Sequence, residues 1–310
     1  MTLTRAQALL LLEPKLSNIW HEAYPKRPVE YTSFVNIRVT KKATVTDFKL
    51  TDFGNLRLKG EGENLVYDDP IFGASKAYSP VRKALGYKVT QEMIDHELYG
   101  QVERFESALM DSALYDQEVS AALLLNNGFG TTDADGFSAT GFDVLQTFST
   151  AHTRLDGGTN LRNRPSTDIN LGVTGLQNAL VDFHTQNLND RGRPQQIRPK
   201  LLIVHPNDIF TARELLQSEY KPGTANNEIN AIREDGLTFM VSHYVTDGNA
   251  WFLIGDQHDL NFIWDVKPRG GMLADGDSGF DAEVIKRKVV QGYVVGHGEF
   301  RGTWGTSGVN

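Results

Sequence analysis

The 310-residue chain is 40% hydrophobic and 23% charged, enough apolar surface for one large domain or two lobes. Its formal charge of −8 argues against a broad face that grips nucleic acid. No apolar run reaches the roughly 18 residues needed to span a bilayer, and the lack of cysteine excludes disulfides, thiolate catalysis and cysteine-ligated zinc. The short run Leu9 to Leu12, with no small-residue cleavage site after it, does not make a signal peptide, so synthesis in a cytoplasm is expected. Charge is unevenly spread: residues 1–60 carry about +5 and the remaining 250 about −13. Such a basic segment suits a solvated tail, a nucleic-acid arm, or an arm lying on the acidic body of a neighbouring copy.

In chain order, residues 1–30 contain prolines at 14, 25 and 28, which predict an extended arm beyond its first turns. Phe34, Val35, Ile37 and Val39 predict a strand over 31–39, with β-prone sequence on to Leu50. Leu56 to Lys59, the turn Gly60-Glu61-Gly62-Glu63 and Leu65 to Tyr67 read as a long charged hairpin that cannot bury itself and must dock elsewhere. Thr90 then caps a helix that meets no proline and one glycine, Gly100, before Gly128 stops it. Its apolar stripe runs Ile94, Leu98, Val102, Phe105, Leu109, Ser112, Asp116, Val119 and Leu123; a second row, Met110, Leu114, Ala121 and Leu124, widens it. About 35 residues at roughly 1.5 Å each make a spine about 50 Å long. Residues 128–168 read as a long Gly-, Thr-, Asp- and Asn-rich loop. An α/β pattern follows: a helix over 175–188, a strand over 200–204, a helix capped by Asn207 or Asp208 and running to Gln217, and strands at 237–245 and 251–254. Strand-rich sequence over 280–300 closes the chain.

Four stretches in order, VTQEMIDHELYG (89–100), GTANNEINAI (223–232), YVTDGNAWFLI (244–254) and RGTWGTSG (301–308), resemble the tailed-bacteriophage major capsid (major head) protein family. LLLNNGF (123–129), and Phe148 to Thr150 with His152, look like the same family. The resemblance runs from about Tyr67 to the C-terminus. It implies an α+β capsid fold: an N-terminal arm (1–30), strands with an extended β-hairpin loop, the E-loop (31–88), a peripheral domain with the spine helix (89–168, helix about 91–127), an α/β axial domain (169–270) and a return to the peripheral domain with a C-terminal tail (271–310). It also implies a structural protein rather than an enzyme, self-assembling as pentamers and hexamers into an icosahedral head around double-stranded DNA. Catalytic, cofactor and metal residues are expected to be none. The implied partners are further copies of the chain, a portal protein, a scaffold and decoration proteins; contact with packaged DNA would be without sequence specificity, and no membrane is involved. The place is the virion capsid, after synthesis in the bacterial host cytoplasm. Because the sequence opens almost directly on the arm, a separate scaffold protein is expected. Crosslinking through Lys49 or Lys59 is not carried over, since no motif assigns an acceptor. An encapsulin-type nanocompartment shell with protein cargo is the alternative within the same fold.

A serine hydrolase is the alternative from another class. Gly276-Asp277-Ser278-Gly279 copies a nucleophile motif, Thr150-Ala151-His152 part of a histidine motif, and Asp168 could supply the third member. Phe280, Thr153 and the short spacing from His152 to Asp168 argue instead for a turn around Ser278. Asp133-Ala134-Asp135-Gly136 echoes a calcium loop but lacks the distal glutamate. No histidine pair stands at i, i+4 on a helix and no G-x-x-x-x-G-K-[ST] occurs. His96 and His184 are expected on helix surfaces, and Trp251, Phe252, Phe262 and Trp264 in the core.

Overall fold

The computed structural model describes residues 27–90, 92–93, 99–134, 136–220, 229–273 and 284–309. Two sheets share one core. The first has strand order β1-β9-β10-β4, from Asn36–Val39, Leu260–Leu273, Val284–His297 and Val81–Thr90, with short β5 (Phe137–Ser138) also on β10. β1 runs parallel to β9, whereas β9–β10 and β10–β4 are antiparallel. The second, of order β11-β8-β6-β7, comprises Thr303–Thr306, Trp251–Gly255, Pro199–Val204 and Thr238–Val241. A separate ladder pairs β2 (Val45–Leu50) with β3 (Phe72–Tyr78).

Helix α1 (Tyr99–Asn126) lies against β10 and β4. Residues 92–93 are also helical; 91 and 94–98, with Ile94, His96 and Leu98, lie outside the described residues. Helices α2 (Val173–Gln186) and α3 (Ile209–Gln217) bury Leu176, Leu180, Phe183, Ala212 and Leu215 on Leu202, Val204, Trp251 and Leu253. The other face of that sheet, Ile203, Phe252 and Ile254, joins the end of α1 at Leu124 and Leu125 and the first sheet at Phe262, Trp264 and Tyr293. Every residue of β8 is therefore buried, and alternation gives way to the continuous apolar run of a two-sided strand.

Several expectations change. Tyr31–Ser33 is a 3-10 turn and the strand begins at Asn36; Tyr31, Phe34 and Val35 are core residues. The predicted strands at 56–59 and 65–67 do not form, although the tip turn does: Glu63 N–H donates to Gly60 C=O at 3.2 Å, and Gly62 has φ of 80°. Asp208 stands at the N-cap of α3 as expected, but its side chain makes no cap bond; the side chain that caps is His205, before the preceding 3-10 turn, accepting from Asn207 N–H. The first sheet takes the chain back at Leu260, earlier than 271, and β11 returns it to the second sheet. The buried face of α1 is also rotated from the predicted stripe: Phe105 and Ser112 are exposed, while Glu106 and Gln117 are fully buried.

Candidate assembly surfaces

The rotation of α1 has a chemical cause. Glu106 forms a buried ion pair with Arg287 of β10, Nη2 to Oε1 at 3.1 Å, and accepts from the Tyr87 hydroxyl at 2.6 Å. Gln117 donates to the Gln291 side-chain oxygen at 2.9 Å, and the Gln291 amide donates to Asp116 at 2.7 Å. The Tyr293 hydroxyl donates to Asp116 at 2.5 Å and also meets Ser120, while Lys83 of β4 donates to Asp116 at 2.9 Å. Burial, reinforced by these carboxylates, pushes the Tyr87 and Tyr293 hydroxyls up, which keeps them protonated as donors. A polar seam with satisfied partners fixes helix orientation where an apolar stripe would permit sliding.

The segment between β2 and β3 carries the two most exposed large hydrophobic side chains among the described residues. Leu56 and Leu58 are as exposed as in an extended peptide (102% and 104%), and Leu65, Val66, Tyr67 and Phe72 are mostly exposed. Such a patch marks an interaction site on a stable protein. Its root is fastened to the chain's own second half. Asn189 donates to Asp52 at 2.8 Å, Arg191 to the carbonyls of Asp52 and Asp69 at 3.3 and 3.0 Å, and Arg193 to the carbonyl of Phe53. Just before it, Lys49 is nearly buried between Asp190 at 3.1 Å and Glu299 at 2.8 Å, with Arg301 completing the cluster. Lys49 is thus committed to an ion pair in its own subunit, whereas Lys59 is exposed on the loop.

Among the described residues, His152 and Asp168 are not brought together as the hydrolase pattern requires. His152 is fully buried, with Nδ1 2.6 Å from Asp143 and Nε2 3.0 Å from the Asn163 side-chain oxygen, and its ring stacks on Phe300 at 3.8 Å. The Asn163 amide donates to Thr147 C=O and Thr303 Oγ1, which fixes its oxygen as an acceptor. Both ring nitrogens of His152 therefore face acceptors and none is open to a serine. Burial raises the Asp143 carboxyl, but the bond to His152, the histidine's charge and the Leu145 N–H together outweigh this and hold it below its ordinary value. Asp168 binds Arg164, Thr306 and Ser307 instead. Gly276 to Phe280, including Ser278, lie outside the described residues, as does Asp135; Asp133 caps Ala139 N–H at 2.8 Å. His184 is exposed on α2, and Trp251, Phe252, Phe262 and Trp264 are buried, as the sequence predicts.

The C-terminal RGTWGTSG stretch has a packing role. Arg301 donates to Leu188 C=O, Trp304 packs on Trp251 with centroids 4.7 Å apart, and Gly302 has φ of 77° with the carbonyl oxygen of Gln257 only 1.8 Å from where a Cβ would stand. No side chain larger than hydrogen fits there.

A spine helix on one sheet, an α/β lobe on a second and a long exposed loop between paired strands define the shell-protein class of tailed-phage capsids. The phage capsid protein family model matches residues 73–305, and the chain belongs to that family. Solved structures agree on the fold. The capsid of cyanophage P-SCSP1u gives a TM-score of 0.59 at 8% identity, covering 92% of this chain and 89% of that one. The bacteriophage JBD30 capsid gives 0.55 at 13% identity, covering 74% and 95%. A virus-like particle from Pyrococcus furiosus gives 0.53 at 10%, covering 94% and 98%. Comparison with curated protein sequences finds no match. The family and fold are those of structural proteins.

Proposed function

We propose that this chain is the major capsid subunit of a tailed-phage head, assembling as pentamers and hexamers into an icosahedral shell around double-stranded DNA. The observation that carries the reading is the loop over 51–71: its apolar side chains lie open in the single chain, and a lattice of identical copies would cover them. In that reading residues 1–30 are the arm, 31–88 hold the loop, the spine side is peripheral and the second sheet with α2 and α3 is axial. A portal, a scaffold and decoration proteins would be its partners in the virion, after synthesis in the host cytoplasm. The likeness to the Pyrococcus particle supports a second reading, a nanocompartment shell with protein cargo. Electron microscopy of the purified protein tests the first claim, since closed shells are expected and a monodisperse monomer at every concentration overturns it. The content of particles made during infection then decides between readings: packaged DNA supports a phage head, and a protein cargo without genome supports the nanocompartment.

A further inference from the structure

A cavity of about 310 Å³ lies between the 162–169 segment, the outward side of α2 and Trp304 of β11. α2 buries Leu176, Ala179, Leu180 and Phe183 against the second sheet, so Asn178, Val181 and Asp182, spaced to share another side of the helix, border the cavity. Val181 is 61% exposed there, and Pro165 and Ile169 of the 162–169 segment add further apolar surface.

Two hydrogen-bond donors of the residues around this cavity lack acceptors. Trp304 is 1% exposed, and neither its indole N–H nor the buried Nε–H of Arg162 meets an acceptor among the described residues. The nearby oxygens are already taken. The Ile169 carbonyl accepts the indole N–H of Trp251, the ring that packs on Trp304. Asp182 accepts from Arg162 Nη2 at 2.8 Å, and Asp168 is occupied by Arg164, Thr306 and Ser307. Buried N–H groups are almost always paired, so two orphans beside one cavity mark a place for an acceptor from outside. The clefts beside Lys49 and beside Lys83 are bordered by no such orphan.

The lining also sets the charge of the guest. Arg162 and Asp182 neutralise each other, and they are the only ionised groups among the residues bordering the cavity. A carboxylate or phosphate would lose its hydration here without a free counter-charge, whereas an uncharged carbonyl oxygen gives up far less. Pro165, Ile169 and Val181 offer contact to an apolar body behind that oxygen. The volume of about 310 Å³ stands at the lower end of the roughly 300–1,000 Å³ of ligand pockets, which suits a small molecule or one protruding side chain.

We propose that this cavity binds an uncharged amide on a short apolar body, its carbonyl oxygen accepting from the N–H groups of Trp304 and Arg162. A free small amide and the Asn or Gln side chain of a second copy share this chemistry. The site belongs to a single chain, so it stands whether or not the shell reading does.

Saturation-transfer difference NMR of the full chain, with benzamide as probe and benzoate as its charged counterpart, tests the assignment. Benzamide should bind dispersed subunits saturably and benzoate should not compete. Trp304→Phe keeps a ring against Trp251 but loses the N–H, and Arg162→Lys keeps a cation for Asp182 but loses Nε–H. Each should weaken benzamide binding about three- to tenfold, the worth of one hydrogen bond. Circular dichroism checks the fold of both, and Arg162→Lys carries the test if Trp304→Phe does not fold. Binding to dispersed subunits but not to assembled particles identifies a neighbouring copy's amide as the occupant, and binding to both identifies a free small molecule. No saturable benzamide signal on dispersed subunits, benzoate binding as tightly as benzamide, or unchanged binding in either folded variant would each overturn the proposal.

Discussion

The Glu118 carboxylate of the spine helix accepts the backbone N–H of Tyr31 at 3.0 Å and that of Glu30 at 2.6 Å, so one buried side chain ends the run of the N-terminal segment. The Glu30 carboxylate in turn meets His243 at Nδ1, 2.5 Å away, and at its backbone N–H, and Arg27 pairs with Asp111 about two helical turns before Glu118. Three parts of the chain are pinned at this point. Burial pushes Glu118 up to about 7, against the two N–H groups that favour its charged form. The folded chain then binds this proton more tightly than the unfolded chain does, at its ordinary 4.5. The associated stability is complete below about 4.5 and declines as pH rises through about 7. Thermal midpoints measured from pH 5 to pH 8, a range of about three units around that value, should fall with pH, and Glu118→Gln should flatten the slope. An unchanged slope in that variant would assign the pH dependence to another group.

Leu109 is buried with Met110, Ala113 and Val289. Leu109→Asp should cost several kcal/mol through an unpaired buried charge and remove soluble subunits, whereas Leu109→Met should cost less than about 1.5 kcal/mol. Soluble yield and chemical denaturation of the two variants give the comparison.

Both partners of the Glu106–Arg287 pair are essentially inaccessible. Removing one, as in Arg287→Met, should destabilise by about 3–5 kcal/mol, and Glu106→Met added to it should recover much of the loss. A double-mutant cycle by urea denaturation reads the coupling directly.

Arg191 and Arg193 hold the loop root through the backbone carbonyls of Asp52, Asp69 and Phe53, and Arg191 also pairs with the Asp68 carboxylate at 3.7 Å. Arg191→Ala with Arg193→Ala should leave the melting temperature within a few degrees but accelerate proteolytic cleavage between Thr51 and Ile71. Mass spectrometry of the first nicks identifies the site, and cleavage elsewhere would show that the root is held by other contacts.

Lys41 and Lys42 are exposed in the turn between β1 and β2. Reversing both to glutamate should leave the subunit folded and impair assembly of empty and filled particles alike. Assembly of the unmodified protein should weaken with salt, since the screening length falls from about 10 Å at 0.1 M to about 3 Å at 1 M. Normal empty shells from the double variant would assign these charges to packaged DNA.

Long-period features of the chain were legible in its residues. The spine was announced by a proline-free run between Thr90 and Gly128, and the second sheet by the apolar strings at 200–204 and 251–254, because both signals are local. The face of the spine was not, since Glu106, Gln117 and Ser120 count as polar until their partners on β10, more than 170 residues away, are known. The loop arms alternate like strands, yet no neighbour in the chain pairs with them, and only β2 and β3 close a ladder. The basic face of the first sheet, exposed at Arg82, Lys88, Arg269 and Lys288, was invisible for a related reason. Its cations come from segments around 82–88, 269 and 288, and register alone unites them.

The edge strand β1 imposes an order on synthesis. Asn36–Val39 pairs in parallel with Asn261–Trp264, a contact between the first and last quarters of the chain. At roughly 5–20 residues per second, a ribosome needs about 10–45 s to produce the partner after β1 has emerged. During that interval the first sheet lacks β9 and β10 altogether. The first sheet, and the face of the spine helix that packs on β10, are thereby completed only in full-length chains.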